Sequence, residues 1–380
     1  MTRPGRPRLT PSLPTRHPYH SPDGSPRRRR SFVTVEVTGV AQREAWRANV
    51  LPEVEALGDG LWSIPVPIPL SPLRYVLVYV MEMTSGLALV DAGWNTEEAW
   101  TALGDGLRTV GGAVTDVKAV LVTHIHPDHY GLAGRIREAS GAWVGLHPAD
   151  AALLPGRYGA KMADAVGHMR ALLDNHGVPA DVVGSLSEAS LGLRDFVSAV
   201  DPDRLINDGD RLDVPGWDVR AIHTPGHSPG HLCFHLPERR LLMSGDHVLP
   251  RISPNITVHA QQADNPLADF LEALERLRPL DVDEVLPAHE WRFRPLVQRL
   301  DELIEHHRTR LDETAAIVAA EANATCWDIT MKMHWSRSWD ELNSFMRRVA
   351  VGETLAHLVL LETEGRLRRV EGSPIRWAIL

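Results

Sequence analysis

One stretch constrains this chain more than any other: Thr123-His124-Ile125-His126-Pro127-Asp128-His129, directly after the near-continuous apolar run Val117 to Val122. A short run of that kind predicts a strand buried on both faces, hence a parallel or sandwich sheet covered by other layers. The histidines must then occupy the loop at the strand's C-terminal end, where the sites of α/β folds open. His124 and His126 are two apart, so an extended loop projects both rings to one side. Asp128 and His129 are adjacent, point to different sides, and are expected to serve a second ion. Core histidines do not bunch in this way.

Composition narrows the chemistry. The chain has 380 residues and 19 histidines but only two cysteines, Cys233 and Cys326. Two distant cysteines make no disulfide framework, no cysteine zinc ribbon and no CxxC redox pair. Histidine is therefore the plentiful residue able to hold a transition metal, and three further motifs supply it. In His223-Thr224-Pro225-Gly226-His227-Ser228-Pro229-Gly230-His231, Pro and Gly make a tight turn with His227 at its tip. His223 and His231 lie on the flanking strands and are expected to frame the site. Ser244-Gly245-Asp246-His247 ends the strand Leu241 to Met243; Gly245 permits close backbone approach, and Asp246 has two oxygens able to bridge two cations. Pro287-Ala288-His289-Glu290 follows the strand Val285-Leu286. Asp91, in Leu89-Val90-Asp91-Ala92-Gly93, closes an earlier strand. Five loops at strand ends thus each offer a ligand-type residue.

Apolar strand patterns alternate with helical ones at 95–109, 132–140 and 267–278, an α/β layer arrangement. Residues 150–200 interrupt it as a helical insertion, with Met162, Met169, Leu172 and Leu173 at helical spacing and expected in the core, a lid or pocket wall being the second reading. Residues 296–320 read as one long amphipathic helix. Thr325-Cys326-Trp327-Asp328 fits a capping box. A helix from about 351 to 364 stops at Gly365, and Arg366 to Ile379 reads as a hairpin. The expected organisation is a tail over 1–45, a catalytic domain over 46–295 and a small α+β unit over 296–380.

Net charge divides the same way. The whole chain carries −9, but residues 1–30 hold eight Arg against one Asp, and the remainder carries −16. The Pro-rich, basic first segment cannot bury enough surface to order itself and is expected to be disordered. Arg27 to Arg30 before Ser31-Phe32 has the look of a twin-arginine export signal, but Glu36, Gln42, Arg43 and Glu44 interrupt what should be its apolar stretch. No run reaches the roughly 18–20 apolar residues of a membrane span, so a soluble cytoplasmic protein without membrane contact is expected. The acidic remainder argues against a broad nucleic-acid surface.

These motifs resemble those of the metallo-β-lactamase-fold hydrolases, and the glyoxalase II-like branch most closely, over about 58–295. The resemblance implies an αββα sandwich with the site between its sheets. It implies that His124, His126 and His227 hold a first metal, that Asp128, His129 and His289 hold a second, that Asp246 bridges them, and that Asp91 supports the loop. Two divalent ions are implied, zinc foremost, with iron or manganese compatible with the same ligands. Such a pair generates a bridging hydroxide at neutral pH, with Asp128 as the catalytic residue that orients or deprotonates water. The cysteine ligand of dinuclear β-lactamases of this fold is absent: Asp246 stands in that position, which argues against penicillin-type chemistry.

The C-terminal segment resembles the winged-helix-like tail of a group of bacterial hydrolases and an endoribonuclease-like mitochondrial protein, through His307-Arg308 and Gly352-Glu353-Thr354-Leu355-Ala356-His357-Leu358. The expected activity is hydrolysis of a small-molecule ester, thioester or lactone. Phosphodiester or RNA cleavage is the second reading, with Arg366, Arg368, Arg369 and Arg376 as candidate phosphate contacts. A mono-iron persulfide dioxygenase and a non-catalytic winged-helix module are further readings.

Overall fold

The computed structural model describes residues 35–69, 71–259, 264–321 and 323–380. Two seven-stranded sheets face one another. The first runs, from edge to edge, Glu55–Gly58, Leu61–Pro67, Tyr75–Met83, Gly86–Val90, Val117–Leu121, Trp143–Leu146 and Arg204–Leu205. Its first four strands are antiparallel, and the pairings from Gly86–Val90 onward are parallel. The second runs Glu36–Val37, Phe293–Arg294, Glu284–Pro287, Leu241–Gly245, Leu232–Leu236, Val219–His223 and Arg211–Leu212. Only its Leu241–Gly245/Glu284–Pro287 pairing is parallel.

Alternation along each strand sorts the core into layers. Tyr75, Leu77, Tyr79 and Met81 point between the sheets and meet Leu232, Phe234, Leu236 and Met243. Val76, Val78 and Val80, one position on, face outward onto Leu103 and Leu107 of the helix Glu97–Val110 and Ile136 of Ala133–Ser140. The outer face of the second sheet, with Cys233, Leu242 and Val285, is covered by the helices Pro266–Leu277 and Leu296–Ala320. The layering is αββα, as the resemblance implies, and it realises the α/β layer arrangement of the residue patterns.

The terminal segment contains the long helix, a strand Ala324–Thr325, a helix Cys326–Thr330, a helix Ser344–Thr363 and the hairpin Leu367–Val370/Arg376–Ile379. Ala324–Thr325 pairs with the second hairpin strand, making a three-stranded sheet. The capping box forms: Thr325 Oγ1 accepts from Asp328 N, and Asp328 Oδ2 accepts from Thr325 N at 2.9 Å. Leu355, Leu358, Leu361 and Trp377 share one buried cluster with the outer face of the second sheet, so the change of texture at 295 marks a change of architecture within a continuous core.

Three expectations need correction. The tail expected over 1–45 lies outside the described residues as far as 34, but Glu36–Val37 is a strand and Val40–Ala48 a helix. Glu36 is ion-paired with Arg294 at 2.7 Å, and the buried Gln42 accepts from Arg292 N at 3.0 Å; tertiary partners order what composition alone would leave loose. Of the four insertion residues expected in the core, only Leu173 is fully buried. Met169 and Leu172 lie half-buried against the core, and Met162 is half-exposed outside it. The helix expected from 351 starts at Ser344, capped by Asn343, whose side chain accepts from Met346 N at 2.9 Å.

Candidate metal centre

The five strand-end loops meet at one edge of the sandwich. Two cross-sheet bonds fix them there, from Leu232 N to Thr123 O at 2.8 Å and from Leu77 N to Ala288 O at 2.7 Å, and within the second sheet Ala288 N donates to Gly245 O at 3.0 Å. All seven candidate residues come together. His124 Nε2 stands 2.9 Å from His126 Nδ1, and with His227 they form one compact donor group. Asp128, His129 and His289 form another, with Asp128 Oδ2 at 3.7 Å from His129 Nε2 and 3.4 Å from His289 Nε2. Asp128 and His129 therefore converge instead of pointing apart, because Pro127–Tyr130 is a helical turn and not extended chain. Asp246 lies between the groups. Its Oδ1 is 3.2 Å from His289 Nε2 and 3.5 Å from His129 Nε2, while its Oδ2 is 3.5 Å from His227 Nε2.

Each imidazole is oriented through its other nitrogen. His129 Nδ1 lies 2.7 Å from Asp91 Oδ2, His227 Nδ1 2.9 Å from Asn255 O, and His289 Nδ1 2.9 Å from Tyr75 O. Asp91 also accepts from Thr123 N at 2.8 Å, so the supporting role expected of it has a physical form. His231 Nε2 accepts from Asp246 N at 3.1 Å, and its Nδ1 lies 2.8 Å from Thr224 Oγ1; His223 Nε2 lies 2.8 Å from Pro229 O. Gly245 has φ +51°, and a Cβ there would fall 2.7 Å from His231 Nε2, so the turn requires glycine.

Sequence reasoning missed Asp150. Fully buried, it accepts from Ile125 N at 2.9 Å, from Ser228 Oγ at 2.8 Å and from Gly230 N at 2.7 Å. One carboxylate thus ties the 124–129 loop to the 223–231 loop. Its setting, His147-Pro148-Ala149-Asp150, reads locally as an ordinary helix start, and only the distant partners distinguish it.

The electrostatics differ between the two groups. Burial, reinforced by neighbouring imidazoles, holds His124 and His126 well below the ordinary histidine range; burial also lowers His227. Burial opposes the charge on His289 and His129 as well. There Asp246 and Asp128 outweigh it at His289, lifting it to about 10, and Asp91, Asp128 and Asp246 lift His129. Asp246 is pushed up by burial, but His289 and His129 prevail and hold it well below the carboxylate range.

The Nε2 atoms of His129, His227 and His289 and Oδ1 of Asp246 are buried without a hydrogen-bond partner among the described residues. Several unpaired polar atoms aimed at common points are costly unless something satisfies them. Imidazole with carboxylate is a donor set suited to a divalent transition metal. These residues fit one.

Residues 71–289 match the profile of the Metallo-beta-lactamase superfamily. The chain belongs to that superfamily, and its site is a candidate metal centre of a metallo-hydrolase. It is 35% identical to a metallo-beta-lactamase family protein from Thermus thermophilus, with a TM-score of 0.73 over 86% of this chain and 100% of that one. A beta-lactamase domain protein from Burkholderia ambifaria is 29% identical, with a TM-score of 0.75 over 91% and 98%. The Bacillus subtilis (strain 168) protein named "Probable metallo-hydrolase YqjP" is 28% identical over 80% of this chain and 93% of its own length. An Aspergillus fumigatus atrochrysone carboxyl ACP thioesterase is 36% identical over 96 residues, 25% of this chain and 21% of that protein. Among the described residues no helix is long and apolar enough to cross a membrane.

Proposed function

We propose that the chain is a dinuclear metal-dependent hydrolase of a small ester, thioester or lactone. The observation that carries this reading is the pair of donor groups with Asp246 between them, one oxygen turned to each. His124, His126 and His227 would hold one divalent ion, zinc foremost; Asp128, His129 and His289 would hold the other. Bound there, the ions supply Lewis acidity and lower the pKa of water to near 7. The chain's own contribution is placement. Asp91, Asn255 and Tyr75 fix the tautomers of His129, His227 and His289, and His231 holds the Asp246 backbone. Burial raises the Asp128 carboxyl, but His129 and His289 outweigh it, so it is ionised and able to orient an attacking water or take its proton.

Acyl chemistry is favoured over phosphodiester cleavage by the short match to a fungal thioesterase and by the terminal hairpin. We read the terminal unit as winged-helix-like, yet Arg366 is engaged with Asp312, Arg369 with Glu362, and Arg376 with Asn323 O. The charges of Arg366 and Arg369, neutralised within the chain, contribute little to holding phosphates, which leaves only Arg368 and Arg376 of the four. With Asp246 in place of a cysteine ligand, we assign the site to the glyoxalase II-like side of the superfamily.

The test combines metal analysis with a panel of thioesters, lactones and phosphodiesters. About two divalent ions per chain and acyl turnover are expected, with Asp246→Ala losing both turnover and metal. An Asp246→Ala protein that keeps its ions and full turnover overturns the bridging role. A single iron with oxygen uptake moves the assignment to a dioxygenase.

A further inference from the structure

The three most buried arginines of the described chain each hold a carboxylate. Arg292 pairs with Glu55 and Glu284, Arg299 with Glu302, and Arg310 with Glu313. Arg157 and Arg348, both half-buried, have no acidic partner among the described residues. Arg157 Nη2 lies 3.1 Å from His259 Nε2, and its Nε is buried without a partner among those residues; Arg348 donates to Ser190 Oγ.

Three elements bring these groups to the rim of the metal centre. Arg157 ends the helical turn Leu154–Arg157, and the next residue, Tyr158, donates its hydroxyl to Ile125 O at 2.9 Å, between His124 and His126. The 255–259 segment starts at the carbonyl of Asn255, which holds His227, and ends at His259. Val258 N donates to Gly352 O at 3.0 Å, seating that segment on the helix Ser344–Thr363, one turn beyond Arg348. The charge of Arg157 is felt at His126, at His259 and at Arg348 itself. Two mutually repelling, partly desolvated cations are costly to hold together without an anion. The buried Asp150 also feels the charge of Arg157, but its oxygens are taken by Ile125 N, Ser228 Oγ and Gly230 N, and no described acidic side chain forms an ion pair with either arginine.

We propose that Arg157 and Arg348 form an anion subsite beside the metal centre, for a carboxylate or phosphate carried by the substrate away from its scissile bond. Guanidinium groups suit both, since they present paired N–H donors to two oxygens. The assignment of the anion to a substrate rests on the hydrolase reading; the anion site itself does not.

The full chain, metals retained, is titrated by calorimetry with benzoate and with phenyl phosphate. Affinity for one of them is expected to fall about tenfold or more in Arg157→Gln and in Arg348→Gln. Arg157→Lys, which keeps the charge and guards against a folding defect, is expected to restore part of it. The tighter probe identifies the anion. In kinetics, the ratio of kcat/KM for an anionic thioester to that for its neutral methyl ester is expected to fall by a similar factor in both Gln variants. Unchanged probe affinity in both folded variants, or an unchanged ratio, overturns the subsite. Arginine-dependent probe binding without hydrolysis of any ester would uphold the subsite and overturn the hydrolase reading alone.

Discussion

Loading the metal centre should expel imidazole protons, and from one half of it only. In the ion-free chain at pH 7, His289, lifted to about 10, and His129, also lifted, both carry a proton, held by Asp91, Asp128 and Asp246. His124, His126 and His227 are lowered by burial and carry none. Imidazole binds an ion only when neutral. Filling the Asp128/His129/His289 group therefore releases about two protons, and filling the His124/His126/His227 group releases about none. A group at about 10 deprotonated at pH 7 costs about 4 kcal/mol of apparent binding free energy, at 1.36 kcal/mol per unit. Apparent affinity at this group should consequently rise steeply with pH. The assay is zinc titration of stripped protein in buffers of different ionisation enthalpy, in which the slope of heat against buffer enthalpy counts protons. About two are expected from the imidazoles of the fully loaded chain, with up to one more from a water whose pKa the ions lower to near 7. Asp91→Asn, which removes a carboxylate 2.7 Å from His129 Nδ1, should reduce the imidazole count toward one. A slope near zero, or two protons released already by the first equivalent bound at His227, would refute the electrostatic division of the site.

Other perturbations reach the scaffold. Asp150→Ala leaves Ile125 N, Gly230 N and Ser228 Oγ without their acceptor; at about 1–3 kcal/mol per unsatisfied buried group, denaturant unfolding should show a loss of about 3 kcal/mol or more, with reduced metal content. Gly245→Ala places a methyl 2.7 Å from His231 Nε2 at φ +51°; metal content and thermal midpoint should both fall, whereas substitution at the open Gly141 should leave metal content as it was. His176 is buried and pushed down to about 4 from an ordinary 6.5. Only the unfolded chain takes up this proton between those values, so stability is full above about pH 6.5 and declines as pH falls toward 4. His176→Gln should flatten that decline in a pH series of unfolding curves.

The sequence alone determined what the strand ends offer. The apolar run Val117 to Val122 forces its successors into an edge loop, and the spacing of His124 and His126 carries both rings to one side. Pro and Gly around His227, and Gly245 before Asp246, are likewise local devices with local causes, so they read correctly without a fold. The capping box at Thr325 and the stop at Gly365 belong to the same kind.

What tertiary structure alone decided is pairing across long sequence distance. Asp150 is an unremarked helix-start residue until Ile125, Ser228 and Gly230 are brought to it. The strand Glu36–Val37 exists because Phe293–Arg294 lies beside it, and Arg157 and Arg348 become a pair only when the insertion and the C-terminal helix converge on the 255–259 segment. The division of the histidines into protonated and neutral sets is of this kind too. It depends on which rings lie near Asp91, Asp128 and Asp246 inside a buried, weakly screened space, and charge interaction there follows distance in the fold, not distance along the chain.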